Sequence, residues 1–303
     1  MRGVLIVTGQ TASGKSALAL ALAERFDAEI IGADSRQIYR GMTIGTAAPS
    51  AADRARVPHH LVGFLNPQER YSAARFVDDA LAAIDAIHAR GRRAIVVGGT
   101  GFYVRALTGA VALSPVRDEA LRDRLAEEVR IHPVDALAEW LRALDPPLAS
   151  RVPPHDRYRV TRALEIALAC RDHLESPSAA DGATLRTRGI PFRKLLLEVD
   201  QEMLRERIAA RVDAMLAAGL LDEAEQIGPG ALAADAVGYR EALAYLAGWS
   251  TRDELREHLI RNTRRYAKRQ ATWFRSEDDL IRIPPADALA RASAEAGALP
   301  GWA

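Results

Sequence analysis

A chain of 303 residues with 49% apolar and 27% charged residues has room for one large α/β domain with a smaller inserted piece, and its balance excludes a disordered chain. The formal net charge of +1 excludes a global attraction to nucleic acid, so any affinity of that kind must come from a local basic patch. The single cysteine, Cys170, excludes an internal disulfide and a multi-thiolate zinc site.

Short apolar runs alternate with amphipathic stretches over the N-terminal third, the signature of βαβ units around a parallel sheet. Val4–Thr8 reads as a buried strand, too short an apolar run for a signal peptide. No stretch approaches the ~20 apolar residues that span a bilayer, so the expectation is a cytoplasmic protein with no membrane association. Gly9-Gln10-Thr11-Ala12-Ser13-Gly14-Lys15-Ser16 then fits G-x-x-x-x-G-K-[ST], between that strand and a helix over Ser16–Arg25. Backbone N–H groups at such a helix start point at phosphate oxygens, glycines let the backbone approach, and Lys15 adds a full charge. Ser16 is placed to hold a magnesium ion bridging phosphate oxygens. The loop establishes a phosphate or diphosphate ligand without saying which.

Glu29–Ile31 reads as a second strand, followed by Asp34 in Asp34-Ser35-Arg36-Gln37-Ile38-Tyr39. Strand ends in open α/β sheets face the ligand crevice, so Asp34 either looks into the cleft of the phosphate loop or caps a helix. Ser72–Arg90 is a long amphipathic helix, and Ala94–Val97 a buried strand ending at Gly98-Gly99-Thr100-Gly101-Phe102-Tyr103. Those glycines either line the same cleft or make a tight turn before a helix.

Residues 115–190 are rich in Arg, Glu, Ala and Pro, with helical periodicity and no strand, and read as a helical insertion between core segments 1–114 and 191–303. Lys194–Val199 returns to the sheet. Gln201–Ala218 is helical and sets Arg207 and Arg211 on one face, suited to a diphosphate clamp or to surface pairs with Glu202 and Glu206. The stretch Arg261–Arg275 carries Arg261, Arg264, Arg265, Lys268, Arg269 and Arg275 and no acid, with Leu259, Tyr266 and Trp273 as its expected buried stripe. Such a bias suits phosphate-backbone contact; a purely solvated face is the alternative.

In order along the chain, these segments resemble the tRNA dimethylallyltransferases, also called tRNA isopentenyltransferases. The phosphate loop corresponds to G-x-T-A-S-G-K-[ST], and Asp34–Ala47 to D-S-R-Q-[IV]-Y-[KR]-G-[ML]-x-I-G-T-A. Pro58-His59-His60-Leu61, Tyr71-Ser72-Ala73 with Phe76, and Gly98–Tyr103 follow. Arg159 with Arg162-Ala163-Leu164-Glu165, Val237-Gly238-Tyr239-Arg240-Glu241 and Thr263–Arg275 complete the set. Gln10 stands where the family usually has Pro, Ser16 where Thr is common, and Gly63 where an acid is common. Asp235 lies in a segment that usually carries Gln or Arg. No C-terminal zinc finger of the eukaryotic type is present, so the resemblance is to the bacterial form.

The resemblance implies a P-loop NTPase-like α/β core with an inserted helical domain that grips the anticodon stem-loop. It implies transfer of the dimethylallyl group of dimethylallyl diphosphate to N6 of the adenosine 3′ of the anticodon, with release of diphosphate. Asp34 would be the general base, Thr100 would line the passage where the substrates meet, and Arg207 or Arg211 would help neutralise the diphosphate held by Gly9–Ser16 with Mg2+ on Ser16. Asp34, Ser35, Arg36, Gln37, Thr100, Tyr158, Arg159, Arg162, Tyr239, Arg240, Arg264 and Lys268 would contact tRNA. A monomer is expected. The rivals are a P-loop kinase or nucleotide hydrolase, a prenyltransferase of free adenine nucleotides, and a non-enzymatic RNA-binding protein.

Overall fold

The computed structural model describes residues 2–111, 113, 119–172, 182–277 and 279–302. The expected start of the insertion at 115, its stretch 173–181 and the Cys170 side chain lie outside what is described. The chain divides into two compact units, Met1–Val111 with Ala183–Ala303, and Ala112–Gly182.

In the larger unit β1 (Val4–Gly9), α1 (Lys15–Arg25), β2 (Ala28–Gly32), α2 (Ala51–Arg56), β3 (His59–His60), α3 (Ala73–Ala89), β4 (Arg93–Gly98) and α4 (Gly101–Thr108) come first. The smaller unit contributes α5 (Glu119–Ile131), α6 (Val134–Leu144), α7 (Pro146–Ala149) and α8 (Arg157–Asp172). Then follow β5 (Phe192–Leu197), α9 (Gln201–Ala217), α10 (Leu220–Ile227), a 3₁₀ turn (Leu232–Asp235), α11 (Tyr239–Leu246), α12 (Arg252–Arg275), β6 (Leu280–Ile283) and α13 (Ala288–Gly297).

The sheet is wholly parallel in the order β3-β2-β4-β1-β5-β6. Its central strand β1 is buried at every position and reads as a continuous apolar run because helices cover both faces. Leu5, Val7, Ile95 and Leu195 pack with Leu22 of α1, Ala292 of α13 and Trp302, each large side chain contributing about 1.5–3 kcal/mol of burial. Trp302 also donates from Nε1 to Gly3 O at 2.8 Å. The parallel register lines up Gly9, Gly32 and Gly98 at one end of the sheet, where open α/β folds place their crevice.

Two strands have no counterpart in the sequence reading, the edge strands β3 and β6. The returning strand starts two residues earlier than the apolar run, at Phe192 instead of Lys194. Lys194 is buried within it because Glu277 (3.0 Å) and Asp279 neutralise the ammonium. The core also resumes at Ala183 and not at 191. Leu185 is fully buried and its N–H donates to Leu107 O at 2.9 Å, so this segment is packed into the core before β5 begins.

The smaller unit closes around Leu125, Leu137, Leu141, Val160 and Leu164. Glu165 is buried there and is paired by Arg162 (2.5 Å) and Arg122 (3.0 Å).

Candidate active site

The loop between β1 and α1 occupies a helix N-terminus, where orphan N–H groups and the helix dipole favour an anion. Gly14 closes it at φ 96°, in the left-handed region that glycine adopts without strain. Side chains tie the loop in place. Gln270 accepts from Thr11 N at 2.7 Å and donates to Gly99 O at 2.9 Å, joining two glycine turns through α12. Gln10 Nε2 donates to Ala267 O at 3.0 Å, a tie that the proline common at this position could not make. Arg207 Nη1 donates to Ser13 O at 3.0 Å. Ser13 Oγ is buried with no partner among the described residues.

Lys15 reaches back to Gln10 O at 3.3 Å. Burial lowers its pKa to about 8, against the pull of Asp34 and with the push of Arg211. An anion on the loop favours the charged ammonium, so binding takes up a proton between pH about 8 and lysine's ordinary 10.5. Affinity for an alkyl diphosphate, which is itself fully ionised there, is therefore expected to fall as pH rises through that window. Calorimetry in buffers of different ionisation enthalpy should read proton uptake at about pH 9 and little at about pH 7; an affinity flat across this range would contradict the assignment.

A cleft of ≈ 410 Å³ opens beside the loop, walled by Lys15, Ser16, Asp34, Arg211, Tyr266 and Arg269. Asp34 follows β2, and its Oδ1 accepts from Arg36 N (2.9 Å) and Gln37 N (3.3 Å). The cleft reading of Asp34 holds, whereas the helix-cap reading does not, because the segment it caps is a tight turn. Capping occupies Oδ1, and Asp34 remains part of the cleft lining. Tyr266 stays a phenol at neutral pH, since burial and then the Asp34 charge push its pKa up. Arg211 faces the same space and donates to Thr46 O at 3.2 Å; burial pulls its pKa down while Asp34 opposes the shift.

Arg207 and Arg211 thus part company. Arg211 lies on the cleft wall, whereas Arg207 braces the loop backbone and is absent from the lining. Thr100 stands behind the turn, its hydroxyl accepting from Ser35 N at 3.0 Å, and does not line the cleft. Gln37 is held by Thr46 O and Ala47 O, both at 3.1 Å. Arg240 lines the cleft and pairs with Glu241 at 2.9 Å.

Tyr239 corrects an expectation: it is fully buried, out of reach of any RNA. Its hydroxyl donates to Glu223 Oε1 at 2.5 Å, and its ring lies where a Cβ on Gly45 would be, at 2.6 Å. Glu223, which the sequence reading missed, also accepts from Thr43 N, Thr43 Oγ1, Ile44 N and Gly45 N. It anchors the segment that delivers Thr46 and Ala47 to the cleft. Gln270 was missed likewise, though its amide in an otherwise cationic helix was the available signal.

Arg264 and Lys268 are exposed, and neither is ion-paired among the described residues; the same holds for Arg261 and Arg265. The buried stripe of α12 is Leu255, Leu259, Ala267, Gln270 and Phe274, with Tyr266 and Trp273 only half-buried. Ala267 and Gln270 take the central places because the phosphate loop packs there. Within the smaller unit Tyr158 is 80% exposed, Arg159 pairs with Asp156 at 3.3 Å, and Arg162 is committed to Glu165.

Residues 37–277 match the IPP transferase family. The chain belongs to that family. A curated relative, the tRNA dimethylallyltransferase of Geobacter metallireducens, is 44% identical over 287 residues, covering 92% of each chain. The solved tRNA isopentenylpyrophosphate transferase of Bacillus halodurans is 36% identical with a TM-score of 0.70, over 98% of this chain and 96% of that one. A eukaryotic dimethylallyltransferase, solved acting on tRNA, is 25% identical with a TM-score of 0.76, over 98% of this chain and 78% of that one. The P-loop-type parallel sheet of this IPP transferase is thus shared with solved members. Among its described residues no helix is long and apolar enough to cross a membrane.

Asp235 sits on the cleft wall and pairs with Arg36 Nη1 at 2.9 Å. Asp235 is largely exposed and Arg36 about one third exposed, so solvent screens the pair and it adds at most ~1 kcal/mol to stability. Its effect falls on charge: one carboxylate occupies a cation that a phosphate could use. Asp235→Asn is expected to tighten RNA binding and steepen the salt dependence of log K by about 0.7–0.9. Anisotropy titrations across a salt series check this, and an unchanged slope would remove Arg36 from the RNA-contacting set.

Proposed function

We propose that this chain transfers the dimethylallyl group of dimethylallyl diphosphate to N6 of the adenosine 3′ of the anticodon in tRNA, releasing diphosphate. The observation that carries the reading is the juxtaposition, in one cleft, of Lys15 and Arg211 with the Asp34 carboxylate. Cations at an anion-binding helix start suit the diphosphate, and a carboxylate beside them suits the proton that the acceptor must lose. The relatives' names add the acceptor, since they are transferases of tRNA.

The exocyclic amine of adenine is a poor nucleophile because its lone pair is delocalised into the ring. Asp34 accepts the N6 proton as the N6–C1 bond forms and the C1–O bond to diphosphate breaks. Lys15, the loop amides and Arg211 hold the departing diphosphate as its charge grows. The adenosine must leave its stack to reach the cleft, at a few kcal/mol, and less in a single-stranded loop than in a duplex. Ser16, exposed at the cleft beside Asp34, offers the hard oxygen that fits a magnesium ion otherwise held by diphosphate and water. Such an ion would neutralise diphosphate charge; no group of three or more His, Cys, Asp or Glu among the described residues could hold a metal by itself.

Arg36, Arg240, Arg264 and Lys268 would meet the tRNA backbone, and Tyr158 and Arg159 of the helical insertion the anticodon stem. The protein would act as a monomer in the cytoplasm. The test is incubation with magnesium, dimethylallyl diphosphate and tRNA lacking the modification, with AMP as a parallel acceptor and nucleoside mass spectrometry as readout. Dimethylallyl-adenosine in tRNA with untouched AMP is expected. Modified AMP alone would reassign the protein to free nucleotides, and no adduct on either would overturn the proposal.

A further inference from the structure

Beyond the cleft, α12 and α4 form an aromatic surface that the transfer chemistry does not use. Trp273 follows Tyr266 by seven residues, so it lies about 20° from it around α12 and about 10 Å farther along the axis. It therefore extends the cleft-lining face. Gly101, the first residue of α4, has no Cβ and so admits the indole onto its backbone. Arg105 covers the indole at 4.8 Å and is itself held by Glu277 and Ser276 O. Phe102 meets the indole edge-on, with ring centroids 6.3 Å apart and planes at 87°, and is 41% exposed. An edge-to-face contact with a pinned indole fixes the phenyl ring and leaves apolar π surface in solvent. Arg269, four residues before Trp273 and so on the same face of α12, is exposed.

We infer that Phe102, backed by Trp273, is a stacking platform for an unpaired RNA base next to the acceptor adenosine, with Arg269 taking a flanking phosphate. The inference rests on the tRNA reading above. Single-stranded nucleic acid is held by this combination, aromatic rings on base faces and cations along the backbone. The position suits a neighbour of the acceptor, since Arg269 lines the cleft, lies over the Tyr266 ring at 5.6 Å and stands one helical turn before Trp273 on α12.

The test uses an anticodon stem-loop RNA carrying 2-aminopurine at successive loop positions. Binding to the full-length protein should quench the probe at a position flanking the acceptor. Phe102→Leu should abolish that quench and weaken RNA binding about 5- to 150-fold, the loss of one stacked base. Phe102→Tyr should retain both, and dimethylallyl diphosphate affinity should be unchanged in either variant. Quench and affinity retained in Phe102→Leu would overturn the platform, as would bound wild-type protein that quenches no loop position, whatever the variants do. Wild-type protein that fails to bind the stem-loop would instead overturn the tRNA reading on which the platform rests.

Discussion

Asp34→Asn is expected to lower turnover about 10²–10⁴-fold, the usual contribution of a positioned general base, while tRNA affinity stays essentially unchanged. That range corresponds to about 2.7–5.5 kcal/mol of transition-state stabilisation. Asparagine is the informative substitution because its side-chain oxygen can still accept from Arg36 N and Gln37 N. Alanine removes the cap as well as the base, so its additional loss, if any, reports on the turn. Single-turnover rates with saturating tRNA, set beside anisotropy affinities, separate the two. Equal losses in turnover and binding would show that Asp34 positions RNA and does not take the proton.

Glu223→Ala should be the most damaging substitution outside the reacting groups. It strips five donors of their shared acceptor, among them the backbone N–H groups of Thr43, Ile44 and Gly45 and the buried Tyr239 hydroxyl. Each donor left buried and unsatisfied costs about 1–3 kcal/mol, tempered by local relaxation and water entry, so a loss of about 3–5 kcal/mol is expected. For a unit of this size that lowers Tm by on the order of 10 °C. Glu223→Gln should lie between, because its carbonyl oxygen keeps part of the set and its amide opposes the rest. Thermal denaturation of the three proteins decides it, and an alanine variant melting with the wild type would show that water replaces the carboxylate.

The phosphate loop and its flanking elements were legible in the sequence because every signal acts locally: an apolar strand, glycines at the turn and a helix start all fall between Val4 and Arg25. Asp34 was legible as a residue of the crevice because parallel strands end together. Tyr239 was not, since an aromatic residue in a glycine-led motif reads as exposed until Glu223 of another helix is placed beside its hydroxyl. The separation of Arg207 from Arg211 depends equally on tertiary approach. Spacing puts both on one face of α9, but only packing decides which meets the loop backbone and which the open cleft. The glycines after β4 follow the same rule: Gly99 and Gly101 are needed because Gln270 and Trp273 of α12 press against them. Edge strands β3 and β6 are short, and their pairing partners lie far away in sequence. The stripe of α12 was misread because large aromatics outrank alanine in any apolar pattern, whereas close approach of the phosphate loop demands the small side chain of Ala267.

The central claim is that this phosphate loop serves a departing diphosphate and not a transferred phosphoryl group. The direct measurement is inorganic diphosphate released per dimethylallyl-adenosine formed, with ATP substituted for dimethylallyl diphosphate in a parallel reaction. One diphosphate per modified adenosine, dependent on tRNA, with ATP left intact, is the predicted result. Steady phosphate release from ATP, with no adduct on tRNA, would contradict it.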